Sequence, residues 1–395
     1  MTQQGSVWRV PGMVDLAVLS VFGFSGYAAL LATAPMWAVS GGATAAGAGL
    51  VNGVLLAATV LAQLAVPRAI AGWGTGRVLV AGLLLLGGPA PLYILSDGLG
   101  WVLALSAVRG LGFGILTVVG STVVAQLVPA GRRGAAIGVY GLAVAVPNLV
   151  LLPGSVPLVD RWGFAPICWV AALPLLGVPS ALRLARVLRD TSQVRPAKQE
   201  RFLGSLRRLG GIVPPTLVLF SVTMAGGALL TFAPQLTDSG TAALVLLIMG
   251  LAAAVSRWLV GGLADRRGAR PFLAPVLACG AAAMALAAWA VAHEQRIVLI
   301  AAATLFGLCY GALHNLTLVV AFAAVEAPQL PAASAGWNIG FDAGTAAGSV
   351  LAGALATAYS FPVSLATLAA ICLLTAVATL ISSFRAAPAR PNLYS

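Results

Sequence analysis

Residues 189–210 read RDTSQVRPAKQERFLGSLRRLG, the longest polar run in the 395-residue chain. Six long apolar segments precede this run and six follow it. Each segment approaches or exceeds the ~20 residues that a helix needs to cross about 30 Å of hydrocarbon. The pattern predicts an all-α membrane protein of twelve transmembrane helices, in which a basic linker, 189–210, joins a six-helix N-terminal half, 1–188, to a six-helix C-terminal half, 211–395.

The composition agrees with a hydrocarbon environment. Hydrophobic residues make up 60% of the chain and charged residues 8%, with a mean hydropathy of +1.00, whereas soluble domains carry about 25% charged residues. The transmembrane segments are predicted at 13–37, 45–67, 77–96, 100–128, 134–157, 164–188, 211–235, 241–263, 271–292, 297–325, 332–357 and 362–384.

The positive charge is concentrated at alternate connections between these segments. If both termini are cytoplasmic, 18 of the 22 lysines and arginines fall in cytoplasmic loops, tails or helix ends, where short loops collect cations. The net charge of +12 therefore indicates orientation in a membrane and contact with its lipid. Nucleic acid is not expected as a partner, because the arginines are not interleaved with aromatic residues on a soluble face.

The two halves repeat each other in the same order. Residues 109–116 (RGLGFGIL) in the fourth segment parallel 306–313 (FGLCYGAL) in the tenth, and 29–35 (ALLATAP) in the first parallel 228–234 (ALLTFAP) in the seventh. Two parallel six-helix repeats are typical of secondary transporters whose substrate site lies near the membrane midplane between the halves. The sequence thus predicts pseudo-symmetric halves and favours transport.

A loop motif follows the eighth segment. Residues 261–270 read GGLADRRGAR, which resembles the G-x-x-x-D-R-x-G-x-R signature of the major facilitator superfamily. Its glycine permits close helix approach, its acid can face a helix N-terminus, and its arginines anchor one membrane face. The resemblance implies a gating role for Gly261, Asp265, Arg266, Gly268 and Arg270, with Arg257 as a further gate candidate that could instead snorkel to the surface.

The resemblance covers nearly the whole chain. The first-half copy of the loop, 67–77, has Ala71 where the family has Asp. Arg109, followed by Gly110 and Gly114, is similar to the arginine signature found in proton-coupled members. Residues 311–315 and 334–344 resemble a bacterial branch of drug:proton antiporters and sugar-efflux permeases, which implies the major facilitator fold, a bacterial inner-membrane location and a monomer.

Three side chains are candidates for proton coupling. A charge at mid-helix costs about 2.5–3.5 kcal/mol on insertion scales, so an intramembrane ionisable residue suggests function. Asp342 lies about ten residues into its segment and could exchange the coupling proton or make an inter-helix hydrogen bond. Asp15 could be a cavity acid or a partner of loop arginines, and His314 could serve in the cavity or be structural.

The substrate-binding candidates are polar and aromatic residues within the segments. Arg109 could bind an anionic group, or it could form a structural ion pair or hydrogen bonds to carbonyls. The remaining candidates could line a cavity or support helix packing: Tyr27, Asn52, Tyr140, Asn148, Tyr310, His314, Asn315, Trp337 and Asn338.

The leading functional hypothesis is a proton-coupled secondary transporter that exports an amphipathic or hydrophobic small molecule by alternating access. The first alternative is a proton symporter that takes up a small organic anion, and the second is a non-transporting membrane receptor or scaffold. The sequence contains no nucleotide-binding loop, catalytic triad or metal-ligand cluster. We therefore expect no enzymatic activity, no catalytic residues, no cofactor and no bound metal.

The charge distribution makes the topology testable. Reporter fusions at Gln199 and at Arg390 should both give a cytoplasmic signal, because cations retain their flanking loops on the cytoplasmic side. A fusion after Glu294 should report the opposite side. A non-cytoplasmic signal at either of the first two positions would refute twelve crossings with cytoplasmic termini.

Overall fold

The structure is a computed structural model that describes residues 7–128, 133–191, 210–326 and 329–385. Within these residues all regular structure is helical, and twelve helices are long and apolar enough to span a membrane. The predicted fold class is confirmed. Most of the predicted linker 189–210 lies outside the described residues. We call the side on which the sixth span ends and the seventh begins the linker side, and the opposite side the far side.

The first half contains spans α1 to α6. Its described residues begin with a short 3-10 turn at Val7–Arg9. Two spans, α3 and α6, include 3-10 turns that contain proline, a residue with no backbone N–H to continue a helix. The spans are α1 (Met13–Leu31 continued by Thr33–Ser40), α2 (Ala45–Trp73), α3 (Thr75–Gly87 with Ala90–Leu95), α4 (Leu99–Leu127), α5 (Arg133–Trp162) and α6 (Phe164–Val170, Leu173–Gly177 and Val178–Thr191).

The second half contains spans α7 to α12, which are more regular. The first of them is preceded by a 3-10 turn at Gly210–Ile212. The spans are α7 (Val213–Leu236), α8 (Ser239–Arg267), α9 (Arg270–Ala292), α10 (Arg296–Ala323), α11 (Leu330–Ala358) and α12 (Phe361–Arg385).

Asp238 caps the far-side start of α8. Its carboxylate accepts hydrogen bonds from the backbone N–H of Thr241 at 3.0 Å and from the Thr241 hydroxyl at 2.8 Å. These bonds hold the pKa of Asp238 below its ordinary value, with a smaller contribution from Arg296 at 3.3 Å. A side-chain acceptor at this position satisfies N–H groups that have no partner within the helix.

The halves meet most closely on the far side, where α2 lies against α11. A Cβ atom at Gly49 would collide with the carbonyl oxygen of Ser349, and one at Gly353 would collide with the carbonyl oxygen of Ala45. Small residues at such positions let helix backbones approach each other. The backbone N–H of Ala46 also donates to the Thr357 hydroxyl at 2.8 Å.

Polar contacts add to this far-side seal. The Asn52 amide of α2 donates to the carbonyl oxygen of Leu31 at 2.8 Å and to the Thr231 hydroxyl of α7 at 2.9 Å. The Ser239 hydroxyl at the start of α8 donates to Asp160 at the end of α5, at 2.9 Å. The seal therefore joins α2 to α7 and α11, and α5 to α8.

On the linker side the halves separate. The largest apolar cluster draws on both halves, and its first-half members lie in the far-side parts of their helices, as Leu31, Ala48 and Val156 do. Two clusters nearer the linker side are each built from one half alone, around Leu16 in the first half and Trp337 in the second. The space between the halves on the linker side is called the cleft below.

Gly49 gives a direct test of the far-side seal. We expect Gly49→Ala to destabilise the protein by about 1–3 kcal/mol, because the added methyl group forces two packed backbones apart. Thermal unfolding of the purified protein in detergent measures this loss.

Gly72 near the end of α2 is the matched control. It has open space around it, so Gly72→Ala should be neutral or stabilising by about 0.5–1 kcal/mol from helix propensity. Equal melting temperatures for the two variants would mean that α2 and α11 do not pack as described.

Candidate functional site

A hydrogen bond joins the two halves at the deepest point of the cleft, which is called the cleft floor below. The amide Nε2 of Gln63 on α2 donates to Oδ2 of Asp342 on α11 at 2.7 Å. Gln63 lies ten residues before the end of α2 at Trp73, which at 1.5 Å per residue places the bond about 15 Å from the linker-side end. The bond therefore crosses the interface near the middle of the membrane.

Asp342 is the one carboxylate buried within the described part of the chain, with 6% of its surface exposed. The phenols of Tyr27 and Tyr310 lie close enough to interact with it electrostatically, one from each half. The carbonyl Oε1 of Gln63 is buried and has no hydrogen-bond partner within the part of the chain that the structure describes. An ionised Asp342 accepts a hydrogen bond from the Gln63 amide, whereas a protonated Asp342 could donate one to Oε1 after the amide turns.

The two walls of the cleft carry aromatic side chains. On the first half Tyr27 stacks on Phe113 with ring centroids 3.8 Å apart. On the second half His314 meets Trp337 at 4.6 Å and Phe341 at 5.2 Å, both edge to face. These edge-to-face and stacked arrangements are favourable for aromatic rings. Phe113 and Trp337 are buried, whereas Tyr27, His314 and Phe341 are half-buried. We call these two groups the aromatic walls of the first and the second half.

Arg109 is not among the cleft-lining groups. Its side chain is fully buried within the first half. Its Nη2 donates to the carbonyl oxygen of Gly26 at 2.6 Å, its Nε donates to that of Leu86 at 3.1 Å, and its guanidinium lies 5.8 Å from the ring centre of Tyr93. Each hydrogen bond to a charged group contributes about 1.5–3 kcal/mol. Two of them offset the ~2.5–3.5 kcal/mol cost of placing a cation at mid-helix.

Of the alternatives for Arg109, the geometry corresponds to hydrogen bonding with carbonyls. The side chain ties α1, α3 and α4 together through two carbonyl oxygens and one ring. Its Nη1 has no hydrogen-bond partner among the described residues.

Arg257 is exposed and lies on α8, ten residues before Arg267. Its guanidinium is close enough to Tyr310 and His314 to interact electrostatically with both. Its backbone carbonyl accepts a hydrogen bond from the Asn315 amide at 2.9 Å. The structure thus brings Arg257 to the aromatic wall of the second half.

Four other predicted residues occupy separate places. Asn52 belongs to the far-side seal, and the Tyr140 ring packs against Gly120 within the first half. Asn148 is half-buried and donates to the carbonyl oxygen of Val144 at 2.8 Å. Asn338 is exposed and donates to the carbonyl oxygen of Ser334, at the same distance of 2.8 Å. Both amides bond within their own helix.

Asp15 lies at the linker-side end of α1 rather than at the floor of the cleft. Its Oδ1 accepts a hydrogen bond from Arg183 of α6 at 2.8 Å, and the Arg183 side chain is 59% exposed. An exposed ion pair of this kind contributes about 0–1 kcal/mol. Of the two roles considered for Asp15, this position corresponds to a partner of an arginine near the membrane surface.

The loop motif joins α8 to α9 on the linker side. Gly268 has a φ of +77°, a conformation that side-chain-bearing residues rarely adopt, while Arg266 and Arg270 are exposed. Gly261 is half-buried on α8. The side chain of Asp265 lies outside the described part of the structure.

Sequence reasoning missed Gln63, Phe113 and Phe341. Gln63 could have been found as an amide within an apolar run, because membrane-embedded Gln side chains often hydrogen-bond across helices. Phe113 and Phe341 carry no such signal, since aromatic residues also face lipid and fill cores.

Two halves of six helices, sealed on the far side and parted on the linker side around a polar floor, define a class: the membrane transporters built from parallel repeats. Comparison with known proteins identifies the family. The model of the Major Facilitator Superfamily matches residues 16–293 and 216–394. The chain belongs to this superfamily and is a membrane transporter of that type.

Two curated relatives resemble the chain over part of its length. A protein from Cupriavidus pinatubonensis named as a probable 4-methylmuconolactone transporter is 27% identical over 274 residues, covering 62% of this chain and 60% of the relative. An uncharacterized MFS-type transporter from Mycobacterium tuberculosis is 32% identical over 135 residues, covering 28% of this chain and 23% of the relative. The chain spans less than two thirds of the length of both relatives.

Solved structures share the fold at low identity. The nucleoside transporter NupG superposes with a TM-score of 0.74 at 12% identity, covering 94% of this chain and 98% of NupG. A bacterial homologue of the human lysosomal transporter Spinster superposes with a TM-score of 0.70 at 14% identity, covering 97% of this chain and 96% of the homologue.

The hydrogen bonds of Arg109 to two carbonyl oxygens can be tested by measuring the thermal stability of a variant. We expect Arg109→Lys to lose about 1–3 kcal/mol, because an ammonium group cannot reproduce the planar fork that reaches two carbonyl oxygens. Thermal unfolding in detergent measures the effect. Arg161→Lys is the control, since Arg161 lies at a helix end beside Trp162; an Arg109→Lys protein as stable as this control would exclude the clamp.

Proposed function

We propose that the chain is a proton-coupled secondary active transporter that exports an amphipathic or hydrophobic small molecule. The halves 1–188 and 211–395 rock about the substrate site, and 189–210 links them. The protein works as a monomer in a bacterial inner membrane with both termini in the cytoplasm. The proposal rests mainly on one observation, the buried Asp342 carboxylate that is hydrogen-bonded across the interface to Gln63.

Asp342 is suited to link protonation to movement of the halves. As an anion it accepts a charge-assisted hydrogen bond, which is roughly twice as strong as a neutral one. Protonation removes the charge and weakens the link between α2 and α11 at the cleft floor. A proton therefore changes the free energy of an interface that alternating access has to open and close.

The cleft walls support an apolar or amphipathic cargo. Stacked Tyr27 and Phe113 face one side of the floor, and His314, Trp337 and Phe341 form the other. Ligand pockets are mostly apolar, with a few polar groups that set orientation. The names of the related proteins, a probable 4-methylmuconolactone transporter and a nucleoside transporter, also suggest small organic molecules.

The loop between α8 and α9 is proposed to bias the gate on the linker side. Arg266 and Arg270 are exposed there and Gly268 makes the turn. With Asp265 and Gly261 they form the gating set expected from the family signature. Arg257, the further gate candidate, lies ten residues before Arg267 on α8 and is outside this loop. This loop would shift the balance between open and closed cleft without contacting the cargo.

The second candidate function is uptake of a small organic anion by proton symport. The exposed guanidinium of Arg257 favours it, because the cleft then offers a cation to the substrate. Cellular accumulation measured with and without a protonophore separates the two directions: collapse of the proton gradient raises accumulation for an exporter and lowers it for a symporter.

Asp342→Asn is the decisive substitution for proton coupling. Asparagine keeps the shape and can bond to Gln63 but cannot titrate. Uphill transport driven by a pH gradient in proteoliposomes should be abolished, whereas counterflow of substrate at equal pH should persist.

Asp15→Asn is the matched control, because it makes the same chemical change at the ion pair near the membrane surface. It should leave uphill transport within about twofold of wild type, as surface ion pairs contribute little. Gradient-driven transport that survives in Asp342→Asn would refute the role of this carboxyl, and an absence of counterflow in wild type would favour a receptor or scaffold.

A further inference from the structure

Arg257 faces the cleft rather than the lipid. Gly250 lies seven residues earlier on α8, and seven residues fall about 20° short of two helical turns, so both occupy the same face. A Cβ atom at Gly250 would lie 3.1 Å from Leu149 Cδ2 of α5, in the first half. The lipid-facing side of α8 is marked by Trp258, which is 79% exposed.

The path of α8 therefore leads Arg257 into the gap between the halves. At Gly250 the helix touches α5, and Arg257 lies on the same face two turns closer to the linker side. Arg257 is exposed at that level, about 15 Å from the end of α8. It sits at the depth of the cleft floor, because Gln63 and Arg257 are each the nineteenth residue of their helices, which begin at Ala45 and Ser239.

The guanidinium of Arg257 has no hydrogen-bond or ion-pair partner among the described residues. Three other arginines differ in this respect: Arg109 bonds to two carbonyl oxygens, Arg183 to Asp15, and Arg296 lies beside Asp238. A cation at this depth is costly unless water or an anion solvates it. The planar guanidinium of an arginine can donate two parallel hydrogen bonds, one to each oxygen of a carboxylate.

The groups around Arg257 would suit the rest of an organic anion. The rings of His314, Trp337 and Phe341 form an apolar wall, and Arg257 interacts electrostatically with His314 itself. The imidazole nitrogens of His314 make no hydrogen bond with the described residues, so they are free to contact a ligand. A charged group next to an aromatic wall is a site for an amphipathic molecule.

We propose that Arg257 is the anion-binding residue of the substrate site, and that the substrate is an amphipathic carboxylic acid whose apolar body packs on the His314–Trp337–Phe341 wall. This rests on the proposed transport function and narrows its substrate class. It also assigns anion binding to Arg257 and leaves Arg109 a structural role. Direction and proton coupling do not enter the inference.

Matched pairs of acids and amides test the charge without knowledge of the natural substrate. The full-length protein in detergent is titrated with benzoate, 4-phenylbutyrate and 2-naphthoate, and with the corresponding neutral amides, while its melting temperature is followed. Ligands that bind the folded state raise that temperature by mass action. The acids should reach half-saturation at concentrations about tenfold or more below those of the amides, the scale of a hydrogen-bonded ion pair.

Three variants locate the effect. Arg257→Gln should abolish the preference for acids, and Arg257→Lys should retain part of it because the charge remains. Arg161→Gln, which removes one positive charge from the far side, should leave the preference unchanged. Wild-type protein that binds acids no better than amides, or that binds no acid of the panel, would overturn the proposal, as would a full preference in Arg257→Gln.

The result is independent of proton coupling. Loss of the acid preference in Arg257→Gln requires no pH gradient, so it would stand even if Asp342→Asn still transported uphill. The converse result is also possible to recognise. If Asp342→Asn abolishes gradient-driven transport but acids and amides bind wild type equally well, the proposed function stands and only the carboxylate site is refuted. If Arg257→Gln unfolds and Arg257→Lys does not, the test uses Arg257→Lys instead. This variant should still bind acids more tightly than amides, whereas a site for neutral substrates would show no preference for acids.

Discussion

Hydrocarbon offers no hydrogen bonds, and this constraint organises the whole structure. Each backbone N–H and carbonyl group in the membrane has to find a partner within the protein, which long helices provide internally. The same demand applies to side chains. Arg109 meets it with the carbonyl oxygens of Gly26 and Leu86, and Asp342 meets it with the Gln63 amide. Arg257 is the contrasting case, because its side chain is exposed and has no hydrogen-bond or ion-pair partner among the described residues.

Arg109, Asp342 and Arg257 therefore differ in whether their hydrogen-bond partners lie in the same half or in the other half, or are absent from the described residues. The Arg109 contacts lie within one half, so movement of the halves leaves them intact. The Gln63–Asp342 bond crosses the interface, and any rocking motion has to break or remake it. Among the described residues, Arg257 has no hydrogen-bonded or ion-paired partner to lose. The clamp at Arg109, the interface bond at Asp342 and the exposed Arg257, which has no bonded partner among the described residues, are three outcomes of the same cost of placing polar groups in lipid.

Close contact between helix backbones is the second feature that holds the structure together. Without a hydrophobic driving force between helices in lipid, association depends on packing and on polar contacts. Gly49 and Gly353 bring α2 and α11 together on the far side, and Asn52 adds a hydrogen bond to Thr231. These contacts lie on the far side, whereas the apolar clusters nearer the linker side belong to one half each.

The sequence alone determined the twelve spans, the two halves and the family, because hydropathy and motif spacing are properties of the chain read in order. It also singled out Asp342, as depth and charge can both be counted along a helix. Only the tertiary structure decided which neighbour each polar group has. Helix rotation and contacts between distant residues decide that Gln63 meets Asp342, that Arg109 turns into its own half and that Arg257 faces the cleft. Gln63 and Asp342 are 279 positions apart, and no local pattern encodes such a contact.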